Sequence, residues 1–134
     1  MTVMQELDPR GLYCRICDTL LRLGAPTHVK GYRYMISGII CAANDPDCLS
    51  EVTKYLYPKI GEEYDERPEN IERSIRNAIE IIFNRGDRVA LENYFGIVIN
   101  QSSGKIKNSE FISFIAQKIR LEMLSDSTVS EYKG

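Results

Sequence analysis

The chain has 134 residues, 43% of them hydrophobic and 27% charged. That balance fits one folded domain with a modest single core and excludes a disordered or fibrous chain. A formal net charge of −2 and an isoelectric point near 5.5 argue against a broad, nonspecific polyanion binder, although a small contact surface carries its own local field. No apolar run approaches the roughly 20 residues that span a bilayer, and the opening MTVMQELDPRG lacks the basic-then-apolar layout of a secretory signal, so a cytoplasmic protein with no membrane partner is expected.

Apolar spacing is helical nearly throughout. Leu12, Ile16, Leu20 and Leu23 mark one face of a helix over 12–23; Gly24 stops it and Pro26 keeps it from resuming. Cys14 and Cys17 form a CxxC inside this helix. With His28 the only histidine, and Cys41 and Cys48 forming no second CxxC, the pair is expected to be buried as small apolar groups rather than to hold zinc or do redox chemistry. No cofactor or metal is expected.

A helix over 32–44 follows, apolar around most of its surface and therefore central, and Asp45-Pro46 breaks it. Another helix is expected at about 48–57, with Pro58 suited to the first turn of the next. After a long isoleucine-rich helix, Arg85-Gly86-Asp87 forms a turn and 88–95 a helix of about two turns. Within 96–108, GIVIN reads as a short strand and QSSGK as turn chemistry. Asn108 or Ser109 caps a last helix over 110–124, and 125–134 reads as a frayed tail. Tyr32, Tyr34, Tyr55, Tyr57 and Tyr64 fall at core-like positions. The expected class is all-α, a compact multi-helix domain with its core at about 9–124. The sequence carries no glycine-rich phosphate loop, HExxH or Ser/His/Asp set, so an enzyme is not expected.

The stretch from Leu56 to Glu80 has the layout of a helix-turn-helix. Ile60, Gly61 and Tyr64 supply the inner side of a first helix, with Gly61 the small residue expected where the second helix crosses. Asp65-Glu66-Arg67-Pro68 fits the turn, with Pro68 opening the second helix. Ile71, Ile75, Ala78, Ile79 and Ile82 then form one stripe. Glu69, Arg73, Arg76 and Glu80 lie opposite it, flanked by Glu72 and Asn77. A helix that reads the major groove inserts this N-terminal half. Arg73 suits guanine O6 and N7, and Glu72 suits cytosine N4. The competing reading is a solvated face in which Glu72 and Arg76 form an ordinary i,i+4 pair.

The run 24-GAPTHVKGYRYM-35 resembles the G-x-P-x-H-x-K-G-Y-x-Y motif in the C-terminal effector domain of the sporulation initiation response regulator, the stage zero sporulation protein A family. The likeness continues through 52-VTKYLYPKIGEEY-64, 71-IERSIRNAIE-80, Arg85-Gly86, Phe95-Gly96 and 108-NSEFISFIAQKIRLE-122, in order and with similar spacing. It implies a helical domain whose helix-turn-helix binds a TGTCGAA-like box in double-stranded promoter DNA. It also implies head-to-tail pairing of domains on tandem boxes, and an approach of the 85–92 region to the RNA polymerase sigma subunit.

On this resemblance Glu72 and Arg73 are base readers, Arg76 a base or phosphate contact, and Lys30, Lys105 and Lys107 backbone contacts; Lys59, Arg67 and Asn77, cationic or polar groups in or beside the helix-turn-helix, are further expected backbone contacts. His28 is expected to be structural. Residues 1–15 are too few for the family's phosphoacceptor receiver domain, so none is expected here. An acidic cluster of Glu62, Glu63, Asp65, Glu66 and Glu69 supports a second reading, a protein-interaction module that pairs with or antagonises a full-length regulator without gripping DNA.

Overall fold

Asp8 starts the first helix. Its carboxylate accepts a hydrogen bond from the Gly11 amide at 2.9 Å, and Pro9, with no N–H to leave unpaired, takes the first helical turn. Helix α1 therefore spans Pro9–Arg22, beginning earlier than its apolar spacing indicates. The computed structural model describes residues 7–96 and 106–133, with side chains through 126. Helices α2 (Lys30–Asn44), α3 (Tyr57–Tyr64), α4 (Pro68–Arg85), α5 (Arg88–Phe95) and α6 (Asn108–Lys133) follow, and no strand occurs among the described residues. The expected strand at GIVIN lies outside them.

Helix α2 is the axis of the fold, packed against α1, α4 and α6. Tyr34, Met35, Ile36, Ile39, Ala42 and Ala43 are all buried, which is why the sequence looked apolar on most sides. A Cβ on Gly38 would sit 3.2 Å from the Ile112 side chain and 3.7 Å from that of Ile60, so this position faces α6 and α3 together. Arg120 of α6 donates to the Ala43 carbonyl at 2.7 Å. It thus places a cation on the free carbonyls at the C-terminal end of α2, where the helix dipole is negative. Phe83, Phe95, Phe111 and Phe114 form a ring cluster joining α4, α5 and α6, with centroids 5.1–6.2 Å apart. No helix among the described residues is long and apolar enough to cross a membrane.

Several expectations need correction. Residues 48–57 are not one helix. Asp45 accepts from the Asp47 amide, and Ser50 donates to the Asp47 carbonyl; these local bonds close a 3-10 turn at Pro46–Leu49. A π-helical turn, Val52–Leu56, then runs straight into α3 and leaves Tyr55 exposed rather than in the core. Cys14 is also exposed and Cys17 half-buried. Cys14 lies two residues from both Leu12 and Ile16, which at helical spacing turns it away from the buried stripe. The last helix does not end at Leu124 but continues to Lys133, so 125–133 is helical rather than a frayed coil. The Asn108 amide group is buried and donates across helices, a role described below.

Candidate nucleic-acid interface

The turn between α3 and α4 is held by the backbone and one carboxylate. Asp65 takes a left-handed conformation at φ 53°, and the Glu66 amide bonds back to the Gly61 carbonyl at 2.8 Å. A Cβ on Gly61 would lie 2.5 Å from the Glu66 carbonyl oxygen. The glycine is thus required by the turn folding back, not by the crossing of α4 expected from the sequence. Glu66 accepts bonds from the Asn70 side chain at 2.8 Å and the Arg67 amide at 2.9 Å. The Asn70 bond, then the Arg67 amide, hold its carboxyl below the ordinary range, with a smaller contribution from Lys30. The end of α3 is fixed to α2 by an edge-on contact of Tyr64 with Tyr34, 5.0 Å between centroids, and by a 3.3 Å bond between the Tyr64 and Ser37 hydroxyls.

On α4 the expected stripe is the buried one: Ile71, Ile75, Ala78, Ile79 and Ile82. Glu69, Arg73, Arg76, Asn77 and Glu80 are exposed and Glu72 is half-buried. Arg76 and Glu72 form a 2.8 Å ion pair with 52% and 36% of their side chains exposed. A pair this wet contributes only tenths of a kcal/mol, roughly 0.3–0.5, so it orders the two groups more than it stabilises the helix. Arg73 stands at the crest of the exposed face, with no hydrogen bond or ion pair of its side chain among the described residues. One ordered donor–acceptor pair and one unengaged guanidinium thus lie side by side.

Two other helix starts frame this face. On one flank α2 begins against the middle of α4. A Cβ on Gly31 would lie 2.1 Å from the Ser74 carbonyl oxygen, so only glycine permits the contact. Lys30, next in the chain, lines a groove with Ser74, Asn77 and Arg85. On the other flank α6 begins beside Glu72. The buried Asn108 amide donates to the Glu72 carbonyl at 3.1 Å and to the Tyr57 hydroxyl at 3.3 Å, binding α6, α4 and α3 at one point. Lys107, the preceding residue, is exposed there. Helix N-termini carry partial positive charge, so each flank offers a lysine beside a helix start.

The other expected contacts are placed less centrally. Arg67 is exposed in the turn, 3.7 Å from Glu69. The Lys59 ammonium donates to Cys41 Sγ at 3.8 Å, a contact with the C-terminal part of α2 rather than with α4. Lys105 lies outside the described residues. His28 is exposed in the loop before α2. On α5, Asp87 caps the helix through the Val89 and Ala90 amides, Arg88 pairs with Glu92 at 3.4 Å, and Val89 is exposed. Glu62, Glu63 and Asp65 are exposed beside the turn.

Sequence reasoning missed the tie at Asn108 and the close crossing at Gly31. Nothing in periodicity marks Asn108 as more than a cap. Gly31 carries a visible signal, a glycine inside the first turn of an apolar helix, where it costs about 1 kcal/mol relative to alanine unless a close contact needs it. Residues 16–119 match a family model described as the sporulation initiation factor Spo0A C terminal.

Proposed function

Since the chain belongs to this family of sporulation regulators, whose C-terminal domain binds DNA, we propose that α4 is its reading helix and enters the major groove of a TGTCGAA-like promoter box. Arg73 donates to guanine O6 and N7, Glu72 accepts from cytosine N4, and Arg76 orients Glu72 or reaches a base or phosphate. Lys30 and Lys107 meet the phosphates on the two sides of the groove, with Asn77, Arg67, Lys59 and Lys105 as further backbone contacts. Head-to-tail pairing on tandem boxes, and an approach of the exposed Arg88–Glu92 face of α5 to a polymerase sigma subunit, complete the reading.

The observation that carries it is Arg73, exposed at the crest of α4 and framed by two lysine-bearing helix starts. The test is Arg73→Ala in binding titrations on the box and on a scrambled duplex at one salt concentration. About 1–3 kcal/mol of discrimination should be lost, a fall of roughly five- to 150-fold in the box-to-scrambled ratio, with the thermal midpoint unchanged. An unchanged ratio refutes the assignment. The exposed acidic residues Glu62, Glu63 and Asp65 favour a second reading, a module that pairs with a full-length regulator. Absence of any DNA shift at low salt, together with co-purification of that regulator, would select it.

A further inference from the structure

A single buried hydrogen bond joins the two kinds of side chain on the candidate face. Asn108, 8% exposed, donates its amide to the main-chain carbonyl of Glu72 at 3.1 Å. Arg73 follows Glu72 in the chain, and Lys107 precedes Asn108; both are exposed. The guanidinium suited to a base edge and the ammonium suited to a phosphate are therefore each one residue from an end of the same bond.

That bond fixes what apolar packing leaves loose. Contacts between α4 and α6 such as Phe83 with Phe111, 6.2 Å between centroids, hold the helices together but are non-directional. A hydrogen bond weakens steeply when it is misaligned. The second amide bond, to the Tyr57 hydroxyl at 3.3 Å, keeps the Asn108 amide in place. The Lys107 carbonyl accepts from the Phe111 amide at 3.0 Å, so Lys107 is carried on the first turn of α6 as firmly as Arg73 is carried on α4. A duplex holds its base edges and phosphates at set separations. Two contacts to it add fully only where the protein already presents both in that geometry, since any freedom between them is lost on binding at an entropic cost.

Resting on the reading of α4 as the groove helix and of Lys107 as a phosphate contact, we propose that Asn108 is a positioning residue for DNA recognition. Its bond to the Glu72 carbonyl sets the spacing between the Arg73 base contact and the Lys107 phosphate contact. The sequence-independent grip on the backbone then fixes the register at which α4 meets the bases. Asn108 itself touches no DNA: it is enclosed, and its amide donates inward to α3 and α4.

The test titrates the full chain on box and scrambled duplexes across a salt series, at a temperature where each variant is folded by urea titration. Asn108→Ala should lower the box-to-scrambled ratio about fivefold, the worth of one net hydrogen bond in an equilibrium. It should also make log affinity against log salt shallower by about 0.9, the slope of one phosphate contact. Lys107→Ala moves the slope and not the ratio, so loss of both from a residue with no group at the DNA is the signature of positioning. Tyr57→Phe controls for stability: it removes one bond of the same amide, leaves the bond to Glu72, and should change neither ratio nor slope. Asn108→Ser keeps a hydroxyl in the buried site but is too short to reach the Glu72 carbonyl, and it carries the same expectation where Asn108→Ala does not fold. An Asn108 variant with either quantity at its wild-type value, or a Tyr57→Phe ratio as low as that of Asn108→Ala, would overturn the proposal while leaving Arg73 a reader. An unchanged ratio in Arg73→Ala would overturn it together with the reading of α4.

Discussion

Asn108→Ala should weaken the whole domain, because one small side chain holds three helices at the edge of the reading face. Its amide donates to the Tyr57 hydroxyl at 3.3 Å and to the Glu72 carbonyl at 3.1 Å, and Asn108 and Tyr57 are only 8% and 6% exposed. Each bond contributes about 1 kcal/mol net, and the Tyr57 hydroxyl would be left in a site with little water, at a further cost of about 1 kcal/mol. The expected loss is about 2–3 kcal/mol. For a chain of this length that lowers the thermal midpoint by roughly 3–5 °C per kcal/mol. Urea unfolding of Asn108→Ala, Tyr57→Phe and the double variant separates the parts. Tyr57→Phe alone should cost about 1 kcal/mol, and the double variant should be about 1 kcal/mol more stable than the sum of the singles predicts. A single-variant loss below about 0.5 kcal/mol, or strict additivity with Tyr57→Phe, would show that the tie does not hold α6 to α3.

Gly31→Ala should destabilise despite alanine's gain of about 1 kcal/mol in helix propensity. Its Cβ would meet the Ser74 carbonyl at 2.1 Å, backbone against backbone, so the α2–α4 crossing must open at a cost of about 1–3 kcal/mol or more; a lower urea midpoint with unchanged slope checks this. Lys30→Ala and Lys107→Ala should each reduce the slope of log affinity against log salt by about 0.9 on box and scrambled duplexes alike, leaving their ratio intact. Glu66→Gln should remove an acid-sensitive part of the stability. The native carboxyl is held below its ordinary value of 4.5, chiefly by Asn70 and then the Arg67 amide. Its contribution is therefore full above that value and lost as the pH falls through the lower native one, and the difference between wild type and variant in denaturation curves should vanish in acid.

Much of the helical plan was legible because burial leaves a period in the chain. The stripe of Ile71, Ile75, Ala78, Ile79 and Ile82, the all-round apolar α2 and the proline at the start of α4 each follow from local rules. The same rules failed where hydrogen bonds of short polar side chains displaced the helix, at Asp45 and Ser50, and where helical spacing turned Cys14 outward. They also misassigned Gly61, whose smallness serves a turn carbonyl five residues on rather than a distant helix.

The candidate reading face divides along the same line. The residue types and their 3.6-residue phase alone placed Arg73, Arg76 and Glu72 off the apolar stripe, since a helix cannot bury one face without presenting the other. Only the tertiary structure decided what lies beside that face: the start of α2 with Lys30 where glycine lets two backbones touch, and the start of α6 with Lys107 where Asn108 bonds to Glu72. The contacts that set them, Gly31 with Ser74 and Asn108 with Glu72, lie 43 and 36 residues apart in the chain. Contacts at such separations are set by the packing of whole helices, which no local pattern encodes.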